Sequence, residues 1–145
     1  MAASGQEKRK SVVLVAQDDE NDFLLLCSAL AEVCPQADVR RVRDGEGVIN
    51  WLTGVGYYRD RETFPLPVVI ILDLHMPGMS GLDILKTIRR HPLLEHYPVV
   101  VMSRQDIAQD ENLSLQLGAN DFYGKPKNPE QMRKDAAEIC RKWLE

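Results

Sequence analysis

Apolar residues in this chain fall on consecutive positions in several short runs rather than alternating. Val12-Val13-Leu14-Val15-Ala16 and Val68-Val69-Ile70-Ile71-Leu72 have this form, as does Val99-Val100-Val101-Met102. A strand reads this way when both of its faces are covered, as in a parallel sheet. Val39–Val42 is a weaker run that carries arginines at 40, 41 and 43, which marks an edge strand, and Phe122-Tyr123 is a short fifth one. Between the runs the pattern turns helical. Asn21 and Asp22 can cap a helix reaching about Val33, where Cys34-Pro35 ends it. Asp44 can cap a second helix bearing Val48, Ile49, Trp51 and Leu52. A turn with Pro77, Gly78 and Gly81 opens a third, bearing Leu82, Leu85 and Ile88. A fourth runs through Leu113 and Leu117 to a stop at Gly118. The last has Asn128 as cap, Pro129 at its first position and Gln131 where a capping box places it. Its Met132, Ala136, Ile139 and Trp143 recur at helical spacing, so one face docks on the sheet. The stretch from Gly54 to Pro67 is long for a connection in such a domain.

The elements therefore alternate as (βα)5, an α/β chain with a five-stranded, doubly wound parallel sheet and helices on both faces. In such sheets ligands bind outside the carboxyl ends of the strands. Those ends carry chemistry. Strand one runs into Gln17-Asp18-Asp19, strand three ends at Asp73, strand four at Ser103 and strand five at Lys125. Oxygen donors of this kind suit a hard divalent ion such as Mg2+, which uses one or two carboxylates plus phosphate oxygens. An ionised Asp73 could attack phosphorus without a base, with Lys125 and Ser103 holding the phosphoryl oxygens.

Length and composition agree with this picture and narrow it. The 145 residues are 44% hydrophobic and 28% charged, ordinary for one globular domain of about 11–145 behind a polar, flexible tail at 1–10. Eighteen basic residues against 22 acidic ones give −4, which offers no basic field for nucleic acid. No apolar run is long enough to cross a membrane and no signal-peptide core is present, so a cytoplasmic protein is expected. Three cysteines, at 27, 34 and 140, have no zinc-ligand spacing and are expected as reduced thiols, mostly buried.

Four segments together resemble the receiver domain of two-component response regulators, from about Ser11 to Leu144: VVLVAQDDEND, VVIILDLHMPGMSGLDILKTIR, PVVVMS and GANDFYGKP. The aspartate at the end of strand three followed by xxMPxxxG is highly specific, and the Lys125-Pro126 pair, commonly cis in that family, supports it. The insert GVGYYRDRETFP is similar to that of stand-alone receivers which partner bacterial phytochromes and related sensor kinases. The resemblance implies a flavodoxin-like strand order 2-1-3-4-5. It assigns Asp73 as phosphoacceptor, and Asp18, Asp73 and the His75 backbone carbonyl as Mg2+ ligands. It makes Ser103 the switch hydroxyl, Lys125 the phosphate-binding lysine and Phe122 the aromatic switch residue.

The implied function is a stand-alone response regulator and not an enzyme in its own right. It would be phosphorylated by a sensor histidine kinase, of phytochrome type, or by a His phosphotransfer protein. Phosphorylation would switch a face toward a downstream protein target. Receivers commonly pair through their fourth and fifth helices, so a homodimer is one further expectation, with Trp143 and Leu144 extending the contact, although core packing accounts for Trp143 equally well. Two departures stand out. Gln17 replaces the first of two adjacent acids, with Asp19 one place too late, which implies weaker Mg2+ binding. Arg104 replaces a small residue after the switch hydroxyl and could shield the site or add a cation, while His75 lies where members tune attack by water; both would lengthen the phosphoryl lifetime. The departures also leave open a receiver-like interaction module independent of phosphate. A small phosphatase with an aspartyl-phosphate intermediate is the remaining alternative, but His75 stands where its second Asp would be.

Overall fold

A computed structural model describes residues 10–103, 107–126 and 128–145. Five parallel strands form one sheet in the order β2-β1-β3-β4-β5. They are β1 (Ser11–Ala16), β2 (Ala37–Val42), β3 (Val69–Asp73), β4 (Val99–Ser103) and β5 (Asp121–Gly124). The helices are α1 (Glu20–Val33), α2 (Gly45–Thr53), α3 (Gly81–Arg90), α4 (Ile107–Gln116) and α5 (Pro129–Ile139), the last followed by a π-helical turn over Cys140–Leu144. This is the doubly wound arrangement expected from the alternation of patterns, with the flavodoxin-like strand order that the resemblance implies.

Consecutive apolar positions on the strands feed two cores, because neighbouring side chains point to opposite faces of a sheet. Leu14, Ile70, Leu72, Val99 and Val101 pack with Val48, Leu52, Ile84, Leu85 and Ile88 of α2 and α3. Val13, Val15, Val69, Ile71 and Val100 pack with Leu26 and Leu30 of α1 and with Met132, Ala136 and Ile139 of α5. The strand spacing thus accounts for both covers at once. β2 is an edge strand, as its arginines indicate.

The start of α1 differs from expectation. Asp19, not Asn21 or Asp22, is its cap, with Oδ1 accepting from the Asp22 amide at 2.9 Å. Asp22 then falls in the first turn, which frees its carboxyl to reach elsewhere. At α5, Asn128 does cap through the Gln131 amide, but the Gln131 side chain turns to Asp135 instead of back to the cap. The face of α5 holds through Ile139, whereas Trp143, on the π-helical turn, is only half-buried and donates its indole N–H to Asp121 Oδ2 at 3.3 Å.

Two further expectations need correction. Cys34 and Cys140 are not thiols: they form a disulfide, with Cα atoms 6.0 Å apart and a sequence separation of 106. The fold packs α1 beside α5, which brings the C-terminal cap of α1 against the end of α5, a proximity that spacing in sequence does not reveal. Cys27 alone is free, half-buried in α1, and burial raises its thiol pKa. No cis peptide bond occurs among the described residues, so Lys125–Pro126 is trans.

The long connection after α2 is a built structure. Gly54 closes the helix in the left-handed conformation, φ +71°, donating to Asn50. The Arg61 guanidinium then donates to the carbonyls of Trp51 (2.7 Å), Leu52 (3.1 Å) and Phe64 (3.1 Å). Trp51 donates its own N–H to Pro65 O at 2.9 Å and packs its ring against Tyr58 and Phe64.

Candidate functional site

The register of the sheet sets the carboxyl ends of β1, β3, β4 and β5 at one edge. Asp73 pairs across from Met102, Ser103 from Gly124, and the Lys125 amide donates to Ser103 O at 2.7 Å. Leaving β3, the chain folds back under α3. A Cβ on Gly81 would stand 2.5 Å from Leu74 Cα and 2.7 Å from Asp73 O. Only glycine fits where α3 starts against the end of β3, which gives the last glycine of the MPxxxG segment its physical reason.

Asp73 is 4% exposed, although it opens on a polar depression. Its Oδ2 accepts from Lys125 Nζ at 2.9 Å and its Oδ1 from the His75 amide at 3.1 Å. Lys125 Nζ also donates to Asp22 Oδ2 at 3.0 Å, so one ammonium serves two half-sunk carboxylates. Asp18, Asp19 and Glu20 line the same depression, together with His75. A site this acidic needs a cation, and Lys125 is one inside it.

Gln17 is buried, and its Oε1 accepts from the Asp19 amide at 2.8 Å. It stabilises the turn into α1 and presents no charge to the depression. Arg41, from the edge strand, braces the same turn. Its Nε donates to Gln17 O at 2.9 Å, its Nη1 to Glu20 Oε1 at 2.5 Å, and its guanidinium lies 4.4 Å from the Phe23 ring centre.

The Ser103 hydroxyl donates to Asp110 Oδ2, on α4, at 2.5 Å, and both residues are buried. His75 Nε2 stands 2.8 Å from the same oxygen. Phe122 is half-buried, packed against the core beneath α2 and α3. Arg104, the second departure, lies outside the described residues, as do residues 1–9 of the tail.

The structure thus brings Asp18, Asp73, His75 and Lys125 together, with Ser103 at the neighbouring strand end. It adds two residues that sequence reasoning did not place there. Asp22 reads as a helix cap until the fold shows it on Lys125, 103 positions away. Asp110 lies in the polar stretch IAQDENLSLQ, where nothing distinguishes it from a solvated face. Among the described residues no three His, Cys, Asp or Glu side chains cluster as metal ligands. The carboxylates that line the depression, Asp18 and Asp73 among them, offer oxygen donors, the kind that suits a hard ion which keeps several waters.

The model of the response regulator receiver domain matches residues 13–137. This chain belongs to that family. The receiver is 29% identical over 142 residues to the response regulator Rcp1 of Synechocystis, covering 98% of this chain and 95% of Rcp1. Among solved structures it is similar to response regulator RPA3017 in red light signalling of R. palustris, with TM-score 0.86, 28% identity, and coverage of 92% of this chain and 94% of that one. It is also similar to the phosphorylated cyanobacterial phytochrome response regulator RcpA, with TM-score 0.83, 30% identity and coverage of 93% and 94%. Rcp1 itself has been solved in a Mn2+-bound form, which superposes on the receiver with TM-score 0.81. No helix among the described residues is long and apolar enough to cross a membrane.

Proposed function

We propose that this receiver is a phosphorylation switch, accepting a phosphoryl group on the Asp73 carboxylate. The observation that carries the reading is the buried Asp73 at the end of β3 with Lys125 Nζ 2.9 Å from its Oδ2. A carboxylate oxygen of Asp73 attacks phosphorus of a phosphohistidine, the P–N bond breaks, the imidazole leaves with the electron pair, and an acyl phosphate remains. Lys125, already held by Asp22, would pair with the new phosphoryl oxygens as it now pairs with Asp73. Asp18, Asp73 and the His75 carbonyl would hold Mg2+, and bound there it would neutralise charge on the phosphoryl group.

Ser103 and Phe122 are the residues through which the change leaves the site. Ser103 turns toward the phosphoryl group, Phe122 moves into the space this opens, and the face of α4, β5 and α5 is reshaped for a downstream protein. The likeness to phytochrome response regulators supports a phytochrome-type sensor kinase as donor. A His phosphotransfer protein as the other donor, the cytoplasm as the place of the reaction, and pairing of two receivers through α4, β5 and α5 belong to the same proposal. Borohydride trapping tests the central step, because it reduces an aspartyl phosphate to homoserine. After phosphorylation by acetyl phosphate with Mg2+, peptide mapping should find homoserine at position 73. Homoserine at another position would overturn the assignment.

A further inference from the structure

Asp110 connects two parts of the site that the phosphorylation reaction must move relative to each other. The Ser103 hydroxyl donates to its Oδ2 at 2.5 Å from the end of β4. His75, two residues beyond Asp73, places Nε2 2.8 Å from the same Oδ2. A carboxylate only accepts, so both neighbours donate and the imidazole carries its proton on Nε2. This order, with the carboxylate in the middle, excludes a nucleophilic triad, in which the imidazole stands between acid and hydroxyl. The bridge fixes geometry. Ser103 and Asp110 are both buried, and a hydrogen bond to a charged acceptor away from water is among the stronger kinds.

We propose that Asp110 is a positioning residue that latches the Ser103 hydroxyl against α4 in the unphosphorylated receiver. Resting on the phosphorylation reading above, the latch means that Ser103 must leave Asp110 before it can reach a phosphoryl group on Asp73. His75 keeps the carboxylate oriented, because both bonds fall on one oxygen. The latched form dominates the resting ensemble, and the competent form is a minor population. Apparent reactivity is reduced by that fraction, so loss of the latch restores it. A bond of this class holds the competent population down by about tenfold or more. The latch therefore sets a threshold for switching and works against phosphorylation, whereas damage to the site would only slow it.

The test measures the rate of phosphoryl-adduct formation from acetyl phosphate and Mg2+ by intact mass. The proteins are the wild type, Asp110→Asn, Asp110→Ala, Ser103→Ala and the double variant Ser103→Ala/Asp110→Ala. Asp110→Ala should react about tenfold faster than wild type and Asp110→Asn should lie between them. In the Ser103→Ala background the Asp110 substitution should change nothing, because no hydroxyl remains to be released. Wild-type or slower rates in both Asp110 variants would overturn the latch, and so would an equal acceleration in both backgrounds. Unfolding of the same proteins without phosphate gives a second, independent reading. A coupling of at least about fivefold in the unfolding equilibrium supports the Ser103–Asp110 bond, and additivity overturns it. No adduct on wild type with that coupling intact would sink the phosphorylation reading alone, while an adduct on wild type with additive variants would sink the latch alone.

Discussion

The Lys125 ammonium donates to Asp73 Oδ2 at 2.9 Å, and the same nitrogen holds Asp22 at 3.0 Å. Lys125 is 10% exposed, Asp73 4% and Asp22 13%, so the two carboxylates depend on this cation in a poorly hydrated corner. Removing it takes the ammonium away from both carboxylates. Lys125→Met should cost about 3 kcal/mol of unfolding free energy in metal-free buffer. Adding Mg2+ should stabilise this variant more than it stabilises wild type, because the ion substitutes for the lost charge. Asp73→Asn in the same background should recover a substantial part of the loss. Chemical denaturation with and without Mg2+ checks all three; a Lys125→Met loss insensitive to both Mg2+ and Asp73→Asn would contradict the charge account.

Gln17 is the departure whose consequence can be read directly. Its Oε1 accepts from the Asp19 amide at 2.8 Å, a bond that a glutamate oxygen can also make. Gln17→Glu therefore adds a charge beside Asp18 with the turn kept in place. Mg2+ affinity should rise about tenfold, equivalent to ~1.4 kcal/mol. Titration of the Mg2+-dependent change in tryptophan fluorescence or calorimetry reads this, and equal affinities would show that residue 17 does not feel the ion.

The Cys34–Cys140 disulfide closes a loop of 106 residues and ties the end of α1 to the end of α5. Denatured but unreduced protein should show one thiol, that of Cys27, and reduction should raise the count to three. Reduction should also lower stability by about 3 kcal/mol, mainly through the unfolded chain. Cysteine alkylation followed by mass determination settles the pairing: three alkylated thiols before reduction would exclude it.

Tyr123 joins β5 to α5 by donating its hydroxyl to Glu138 Oε1 at 2.5 Å. Burial foremost, and then that bond, push its phenol well above the ordinary tyrosine value of about 10. A raised value in the folded state means that folding favours the protonated phenol. Stability from this group is complete below pH ~10 and is lost as pH rises through the folded value. The difference in alkaline ultraviolet titration between wild type and Tyr123→Phe should show a tyrosine that ionises above the others or only on unfolding. A difference curve centred near pH 10 would contradict the buried pairing.

How much of this was legible in the sequence depended on how local each signal was. Strand ends were readable because a buried parallel strand is a continuous apolar run, and the first polar residue after it marks the sheet edge. Asp73, Ser103 and Lys125 emerged that way. The consecutive valines of β1 and β4 also foretold helices on both faces. Partnerships across the fold were not readable. Asp22 with Lys125, and Cys34 with Cys140, are more than 100 residues apart. Their contact exists only because α1 packs beside α5 and β3 separates β1 from β4. Asp110 is close to Ser103 in sequence, but Gln109, Asp110, Glu111 and Asn112 form a polar run in its helix, so no periodicity marks the carboxylate that turns inward. Arg41 was read as an edge-strand charge, and only the fold shows its guanidinium folded over Phe23 to brace the turn that carries Asp18. At the start of α1, Asp19, Asn21 and Asp22 all carry side chains that can cap a helix, and Asp19 takes the role where Gln17 and Arg41 fix the turn.

Whether Asp73 is the phosphoacceptor is decided by intact mass. Wild type and Asp73→Asn are incubated with acetyl phosphate, each with Mg2+ and with chelator. One phosphoryl group, about 80 Da, should be added to wild type with Mg2+ and to none of the other three. An adduct of equal yield on Asp73→Asn, or one on wild type indifferent to Mg2+, would contradict it.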